Sequence, residues 1–451
     1  MLSKMIPLTL AIVVLAIGFS PCVAFGQVRV SPNGRYLTDL QDRPFFWLGD
    51  TGWGLFQIPD RDEVEFYLKT RSEQGFTVVH AAACHDNPFI TPALQNRWGD
   101  PAFVDGDLTK PAITPGNDPN NPEEYDYWDH VEYVIDAANR HGITIVFLPI
   151  FTMEKEGGGY QRIDLKNGPV YARFLGQRFG KKQNLIWCLG GDVLADTEQE
   201  KQLWHEMGKA ITVSAAGSED YSKTVMTFHT RGGQCSRDFF PDAAWLDIHM
   251  LQTWDSYKRI CDVVSRQYQV SPAVPILHGE GAYEDGPEYP TKPITAQVIR
   301  QQAYWAFTSG GLHTYGNTNI WNFGSNPKYD TQDWKQAIQS PGAKQLQLYR
   351  QFWESIRWWE LQPAPQLIEA AEDFLATAML SEKHDRAVVY FPENHSLNWL
   401  PPTGPQPQQA YWWDPRTGKQ KTIAPATIAK NGQLSPPQDW EDALLVIQFA
   451  P

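Results

Sequence analysis

Eight apolar runs recur between residues 44 and 317, and amphipathic helical stretches lie between nearly all of them. The runs are PFFWLGDTGW (44–53), FTVVHAAACH (76–85), ITIVFLPIF (143–151), NLIWCLGGD (184–192), KTVMTFHT (223–230), WLDIHMLQT (245–253), VPILHGEGAYE (274–284) and GLHTYGN (311–317). They are short and rich in β-branched and aromatic residues, which predicts buried strands. Between them, residues 60–75, 125–142, 170–180, 197–215, 256–269 and 295–310 repeat apolar positions at helical spacing, as at Trp128, Val131, Ile135 and Ala138; a last helix is expected over 344–361. Strands that alternate with helices are returned to the same edge each time and so run parallel. Eight such units predict a (β/α)8 barrel with insertions. The competing arrangement, a doubly wound open sheet, would want a Gly-rich phosphate turn after an early strand, and no G-x-G-x-x-G stands there.

Both flanks read differently. The first 26 residues carry Lys4, an apolar run and a small-residue site, AFG at 24–26, as a cleaved export signal would; the apolar run is short for a membrane span. A secreted or periplasmic protein is expected, with no membrane partner after cleavage. After Leu361 the helical stripes stop, QPAPQ reads as a linker, and short strands with Pro and Gly turns predict a β-sandwich over 362–451, leaving 27–361 for the barrel. The net charge of −14 and the lack of a Lys/Arg run argue against a nucleic-acid partner. Cys84, Cys188, Cys235 and Cys261 show neither CxxC nor zinc spacing. Cys188, within an apolar strand, is expected to be a packed thiol, and the disulfide state of the four is left open. No metal or other cofactor is implied; the acidic DPNNPEEYD segment lacks EF-hand spacing.

A barrel presents its chemistry where strands end. Reading the strand ends brings Asp50, His85, Asp192, His229, His249 with Gln252, Glu280 with Tyr283, and Tyr315 toward one rim. Asp192 and Glu280 stand out, since each follows a buried strand and each is flanked by glycine, in GGD and HGEG. Desolvation opposes an ionised carboxylate at such a place, so a retained acid needs a reason. Two carboxylates facing one another across a pocket suit glycoside hydrolysis, in which one protonates the leaving oxygen and the other attacks the anomeric carbon or positions water. The bland alternatives are a helix cap for Asp192 and an ion pair for Glu280.

The stretches RYLTDLQDRPFFWLGDTGWGLF, NLIWCLGGD, HGEGAYE and GGLHTYGNTNIWNF together resemble the apiosidase-like glycoside hydrolases. The tail with AYWWDPRTGK resembles the collagen-binding-type β domain that follows such barrels. The resemblance implies Asp192 as acid/base and Glu280 as nucleophile of a retaining double displacement. It also implies a polysaccharide or oligosaccharide substrate, with apiose on rhamnogalacturonan-II, a pectin, as the leading candidate. Many relatives are expected to carry Arg after the GGD aspartate, where this chain has Val193. A glucanase- or mannanase-like enzyme of the same clan and a non-catalytic carbohydrate-binding barrel are the alternatives. Six further residues are candidates for substrate binding. Asp50 could bind a sugar hydroxyl or cap its loop, and Trp53 could stack on a sugar or pack beneath the loop. His249, Tyr283 and Tyr315 could reach the nucleophile or the ring oxygen, or could be packing. His85 opens a long Asn-, Asp- and Pro-rich insertion over the rim.

Overall fold

The computed structural model describes residues 27–85, 94–156, 158–404, 406–430 and 432–450; the expected export signal, residues 1–26, lies outside them. Eight parallel strands form one sheet: β1 (Leu48–Thr51), β2 (Val78–Ala82), β3 (Thr144–Leu148), β4 (Leu185–Val193), β5 (Met226–Thr230), β6 (His249–Gln252), β7 (Ile276–Glu280) and β8 (Leu312–Tyr315). Their order is β5-β4-β3-β2-β1-β8-β7-β6, so β5 and β6 are the two outer members. A parallel bridge between Thr227 and Ile248 joins these two and closes the ring, supported by a hydrogen bond from Thr227 Oγ1 to the Ile248 carbonyl at 2.8 Å. The molecule is a (β/α)8 barrel.

The helices between the strands are α1 (Arg61–Glu73), α2 (Tyr127–Arg140), α3 (Gly168–Phe179), α4 (Glu198–Ala216), α5 (Ser236–Phe239), α6 (Ile260–Tyr268), α7 (Ala296–Thr308) and α8 (Pro341–Glu354). The gap in the helical pattern between the fifth and sixth strands corresponds to α5, a single four-residue turn. Helix starts are set locally. Asp60, Asp126 and Thr197 each accept from a backbone N–H of the first turn while an acid three residues on bonds back, a capping box in all three cases.

Side chains alternate along each strand between an inner and an outer layer. In β4, Ile186 and Cys188 join the barrel interior with Val78, Val146, Met250 and Leu277, while Leu185, Trp187 and Leu189 face the helices. Cys188 is thus a packed residue inside the ring, and none of Cys84, Cys188, Cys235 and Cys261 is in a disulfide. The run 44–53 is not one strand. Pro44–Phe45 belongs to a small antiparallel sheet with Val28–Val30 and Leu37–Asp39, and Val28, Leu37 and Phe45 pack on the barrel interior. Sequence periodicity did not suggest this sheet, because its strands are two or three residues long.

After α8 come a six-stranded antiparallel sheet spanning Leu361–Pro363 to Ala443–Phe449 and a three-stranded sheet of Ile368–Glu369, Leu397–Trp399 and Gly432–Leu434. The first sheet is apolar on both faces. Ala387, Val389, Leu445 and Ile447 pack toward the second sheet with Trp399, whereas Val388, Tyr390, Leu444 and Val446 pack on the barrel side with Tyr304 and Trp353. This explains why VVYF and LLVI read as unbroken apolar runs.

An ion pair crosses the same contact. Arg300 of α7 meets Asp442 through Nη2 at 2.7 Å and Nε at 3.0 Å, with both side chains almost fully buried. Gln345, Glu441 and Tyr390 occupy the remaining donors and acceptors. Breaking such a pair strands a charge away from water. Arg300→Met is expected to lower the unfolding free energy by about 3 kcal/mol or more, read by urea titration. A change within experimental error would mean that the β domain is held by apolar packing alone.

Candidate active site

The stretch GGD ends β4 with a bulge. The pairing of β4 with β5 slips between Gly190 and Val193, and Gly190, Gly191 and Asp192 all adopt positive φ (89°, 124° and 54°). A Cβ on Gly190 would lie 2.4 Å from the His229 carbonyl oxygen, and one on Gly191 would lie 3.0 Å from Phe151 Cα. The two glycines are there because the chain must turn left-handed against backbone on both sides. Aspartate tolerates that conformation better than most residues. The bulge turns the Asp192 carboxyl into the cavity, while Val193 resumes pairing and is fully buried.

Glu280 ends β7, and three groups converge on the two acids. Gln252, at the end of β6, donates through Nε2 to Asp192 Oδ1 at 2.6 Å and to Glu280 Oε2 at 3.2 Å. Tyr283 donates to Glu280 Oε1 at 2.8 Å and accepts from Trp53 Nε1 at 3.0 Å. His229, on β5, accepts the Asp192 backbone N–H at Nδ1 (3.1 Å), which leaves its neutral ring protonated on Nε2, 3.0 Å from Glu280 Oε2. One oxygen of Asp192, one of Glu280 and a ring nitrogen of His229 all lie within 4.8 Å of one another. By donor type this cluster could hold a cation. In this arrangement, however, both imidazole nitrogens are committed, one to the Asp192 amide and one to Glu280, so no ring lone pair is offered to a metal.

The two acids differ in environment. Burial, then the charge of Glu280, pushes the Asp192 carboxyl up to about 6. Its side chain is 46% exposed to the cavity, so the Glu280 repulsion is the part of the shift that persists while water fills the site. Displacement of that water by a ligand adds the burial contribution. Arg231, following β5, acts in the opposite sense on Asp192 and is also paired with Glu154 at 3.2 Å. A cation near this aspartate is therefore supplied from β5, and not from position 193. Burial opposes the charged ring of His229, but the hydrogen bond and charge of Glu280, with the charge of Asp192, outweigh it and raise its pKa. Above the acids opens a cavity of about 1160 Å³, lined by Phe151, Glu154, Lys155, Asp192, Arg231, Gln252, Trp254 and Arg259 among others.

Five of the six expected binding residues make contacts other than one to Glu280. Asp50 is fully buried, bonded at 2.6 Å to both Arg71 Nε and the Tyr67 hydroxyl of α1; it faces the helix, away from the cavity. Tyr315 donates to Glu284 at 2.7 Å, and Glu284 also accepts the Gly342 amide at the start of α8, so this tyrosine anchors a helix. His249 opens β6 opposite Ile276, three residues or roughly 10 Å below Gln252. The sequence counts His249 with Gln252 at the end of the run 245–253, whereas the strand begins at His249. Burial, then Arg237, holds its pKa down to about 4. His85 stacks flat on Phe151, with ring centroids 4.3 Å apart, and bears on the cavity through that ring; the insertion residues just after it, 86–93, lie outside the described residues. Trp53 is packed and not presented. It is nearly inaccessible, edge-on to His229, His80 and Phe151, and holds Tyr283. Tyr283 alone among these six touches Glu280. His229 and Gln252 were legible as strand-end residues, but nothing in the chain ranked them above His249.

Two acids bridged by one shared donor, under a cavity at the C-terminal mouth of a (β/α)8 barrel, place the protein among the glycoside hydrolases. Residues 31–360 match the family described as apiosidase-like, catalytic domain, and the chain belongs to that family. A glycoside hydrolase family 5 structure from Bacteroides vulgatus ATCC 8482 is 26% identical, with a TM-score of 0.80 and 94% of each chain covered. A structure described as a glycoside hydrolase has 24% identity and a TM-score of 0.79, covering 94% of this chain and 97% of that one, and shares the fold. No curated protein sequence matches. The protein is a glycosidase, and its substrate is a carbohydrate.

Removing the Asp50 charge tests its reassignment. Asp50→Asn is expected to cost about 3–5 kcal/mol of stability by leaving Arg71 uncompensated, measured by chemical denaturation. Full stability with weakened glycan binding would return Asp50 to the binding residues.

Proposed function

We propose that the protein is an exported retaining glycosidase that removes apiose from rhamnogalacturonan-II side chains of pectin. The observation that carries the mechanism is the closeness of the two acids, with carboxylate oxygens within 4.8 Å. Retaining enzymes hold their carboxyl groups about 5–5.5 Å apart, whereas inverting ones leave about 6.5–9.5 Å for a water. The substrate assignment rests on membership of the apiosidase-like family, and export rests on the N-terminal leader.

In the first step Asp192, protonated, gives its proton to the glycosidic oxygen as Glu280 Oε attacks the anomeric carbon. The C–O bond breaks, and a glycosyl ester forms on Glu280. Water then attacks that carbon, Asp192 takes its proton back, and Glu280 leaves as a carboxylate. Glu280 must be anionic and aimed. Tyr283 and His229 Nε2–H each donate to one of its oxygens, which fixes the face it presents. Gln252 donates to both acids and so tempers their repulsion before substrate arrives.

The decisive experiment is release of apiose from rhamnogalacturonan-II, with the anomer of the first product followed by NMR; glucan and mannan fragments serve as the comparison set. The retained anomer is expected. Inversion overturns the mechanism, and release from glucan or mannan only overturns the substrate. Glu280→Gln should lower kcat by about 10³-fold or more, and Asp192→Asn by about 10²–10⁴-fold, both while still binding glycan. Since Asp192 must carry a proton in the first step and its pKa lies near 6 once ligand has displaced the water, kcat should fall as pH rises through about 6. That apparent value belongs to the coupled pair. A profile flat from pH 5 to 8 would remove Asp192 from the acid role.

A further inference from the structure

Two residues beyond Gln252, the cavity wall carries an aromatic side chain that the packing of the fold does not account for. Trp254 is 43% exposed, lines the cavity and adopts φ of 46°. A large side chain rarely sits in that left-handed region, where L residues other than glycine meet steric cost. Such a conformation persists only where the surroundings impose it. Here Thr253 is held at both ends, its amide donating to the Glu280 carbonyl at 3.0 Å and its hydroxyl bonded to His278 Nε2 at 2.8 Å. His278 is fixed in turn by His313, their Nδ1 atoms 3.0 Å apart inside the barrel. The turn that lifts Trp254 is thereby tied to the backbone of Glu280.

The ring ends a packed aromatic series that runs outward from Glu280. Tyr283 bonds that acid, Tyr289 lies 6.4 Å from Tyr283 by ring centroids, and Trp254 lies 5.4 Å from Tyr289. Tyr283 and Tyr289 are buried; the exposed end of the series is Trp254. The cavity, about 1160 Å³ and lined by Asp192, Gln252 and Trp254, exceeds the roughly 300–1,000 Å³ that accommodates whole drug-sized ligands, so it has room for more than a single sugar.

We infer that Trp254 is the stacking platform for a second sugar ring, next to the one cleaved, and that the enzyme is built for an oligosaccharide or polysaccharide chain. A sugar ring offers a flat face of C–H groups, and indole is the side chain best suited to cover it while its edge stays wet. The inference rests on the glycosidase reading of the same site and adds a binding position to it.

The test uses Trp254→Ala, Trp254→Phe and Trp254→Gly in the full chain. On rhamnogalacturonan-II, Trp254→Ala should raise KM about tenfold or more with a much smaller change in kcat, and Trp254→Phe should recover most of the loss. On a single-sugar aryl β-apioside the Trp254→Ala effect should be several-fold smaller. In Glu280→Gln protein the same substitution should weaken rhamnogalacturonan-II binding by a like factor, measured calorimetrically. Trp254→Gly relieves the left-handed strain, so its melting temperature should hold or rise while glycan binding falls. Equal losses on the long and the single-sugar substrates, or a fall in melting temperature that accounts for the lost activity, would make Trp254 a packing residue and overturn the platform. If the unmutated enzyme neither cleaves nor binds any of the pectin, glucan and mannan fragments, both the glycosidase reading of the site and the platform fail. If it does act and Trp254→Ala matches it on the chain substrate, the platform alone fails.

Discussion

Closure of the sheet between β5 and β6 is the constraint on which the site depends. The Thr227–Ile248 bridge, the Thr227 hydroxyl and hydrogen bonds of Met226 with Asp247 and Ile248 make that seam. The contacts among the acids cross it. His229 reaches from β5 to Glu280 on β7, and Gln252 reaches from β6 to Asp192 on β4. An open sheet with the same strands would keep its core and lose both contacts, because β5 and β6 would be its two opposite edges. The polar network therefore belongs to the closed ring, and no pair of neighbouring strands contains it.

Within that ring the structure separates residues that hold from residues that face the cavity. Asp50, Tyr67 and Arg71 form a buried ionic contact between β1 and α1, and Tyr315 and Glu284 do similar work for α8. Burial pushes the Glu284 carboxyl up to about 7, yet its partners are a tyrosine and a helix N-terminus, so a perturbed acid here reports a structural joint. Asp192 is perturbed too, but it opens onto a cavity and faces a second acid. The distinction lies in what each carboxyl can touch.

Two left-handed residues stand at the same mouth. Asp192 and Trp254 both have positive φ; the Asp192 amide is held by the His229 ring on β5, and Thr253, next to Trp254, is held by the Glu280 carbonyl on β7. The fold supplies the rigidity that keeps two unfavourable conformations in place beside the reacting groups.

Much is legible in the amino-acid sequence alone. The eight apolar runs and their helices determined the barrel, since period-2 and period-3.6 patterns state which face each segment must bury. GGD and HGEG pointed to the two acids, because a charge beside glycine at the end of a buried strand conflicts with desolvation unless it is used. Local pattern could not say which strand-end residues face inward across the ring. Asp50, His249 and Tyr315 looked as eligible as His229 and Gln252. Their fates depended on a bulge in β4, on where β6 begins and on which helix packs behind β1. These are decided by long-range packing and register. A shift of one residue along a strand turns a side chain from the cavity to the helix layer, and one sequence window holds no information about that choice.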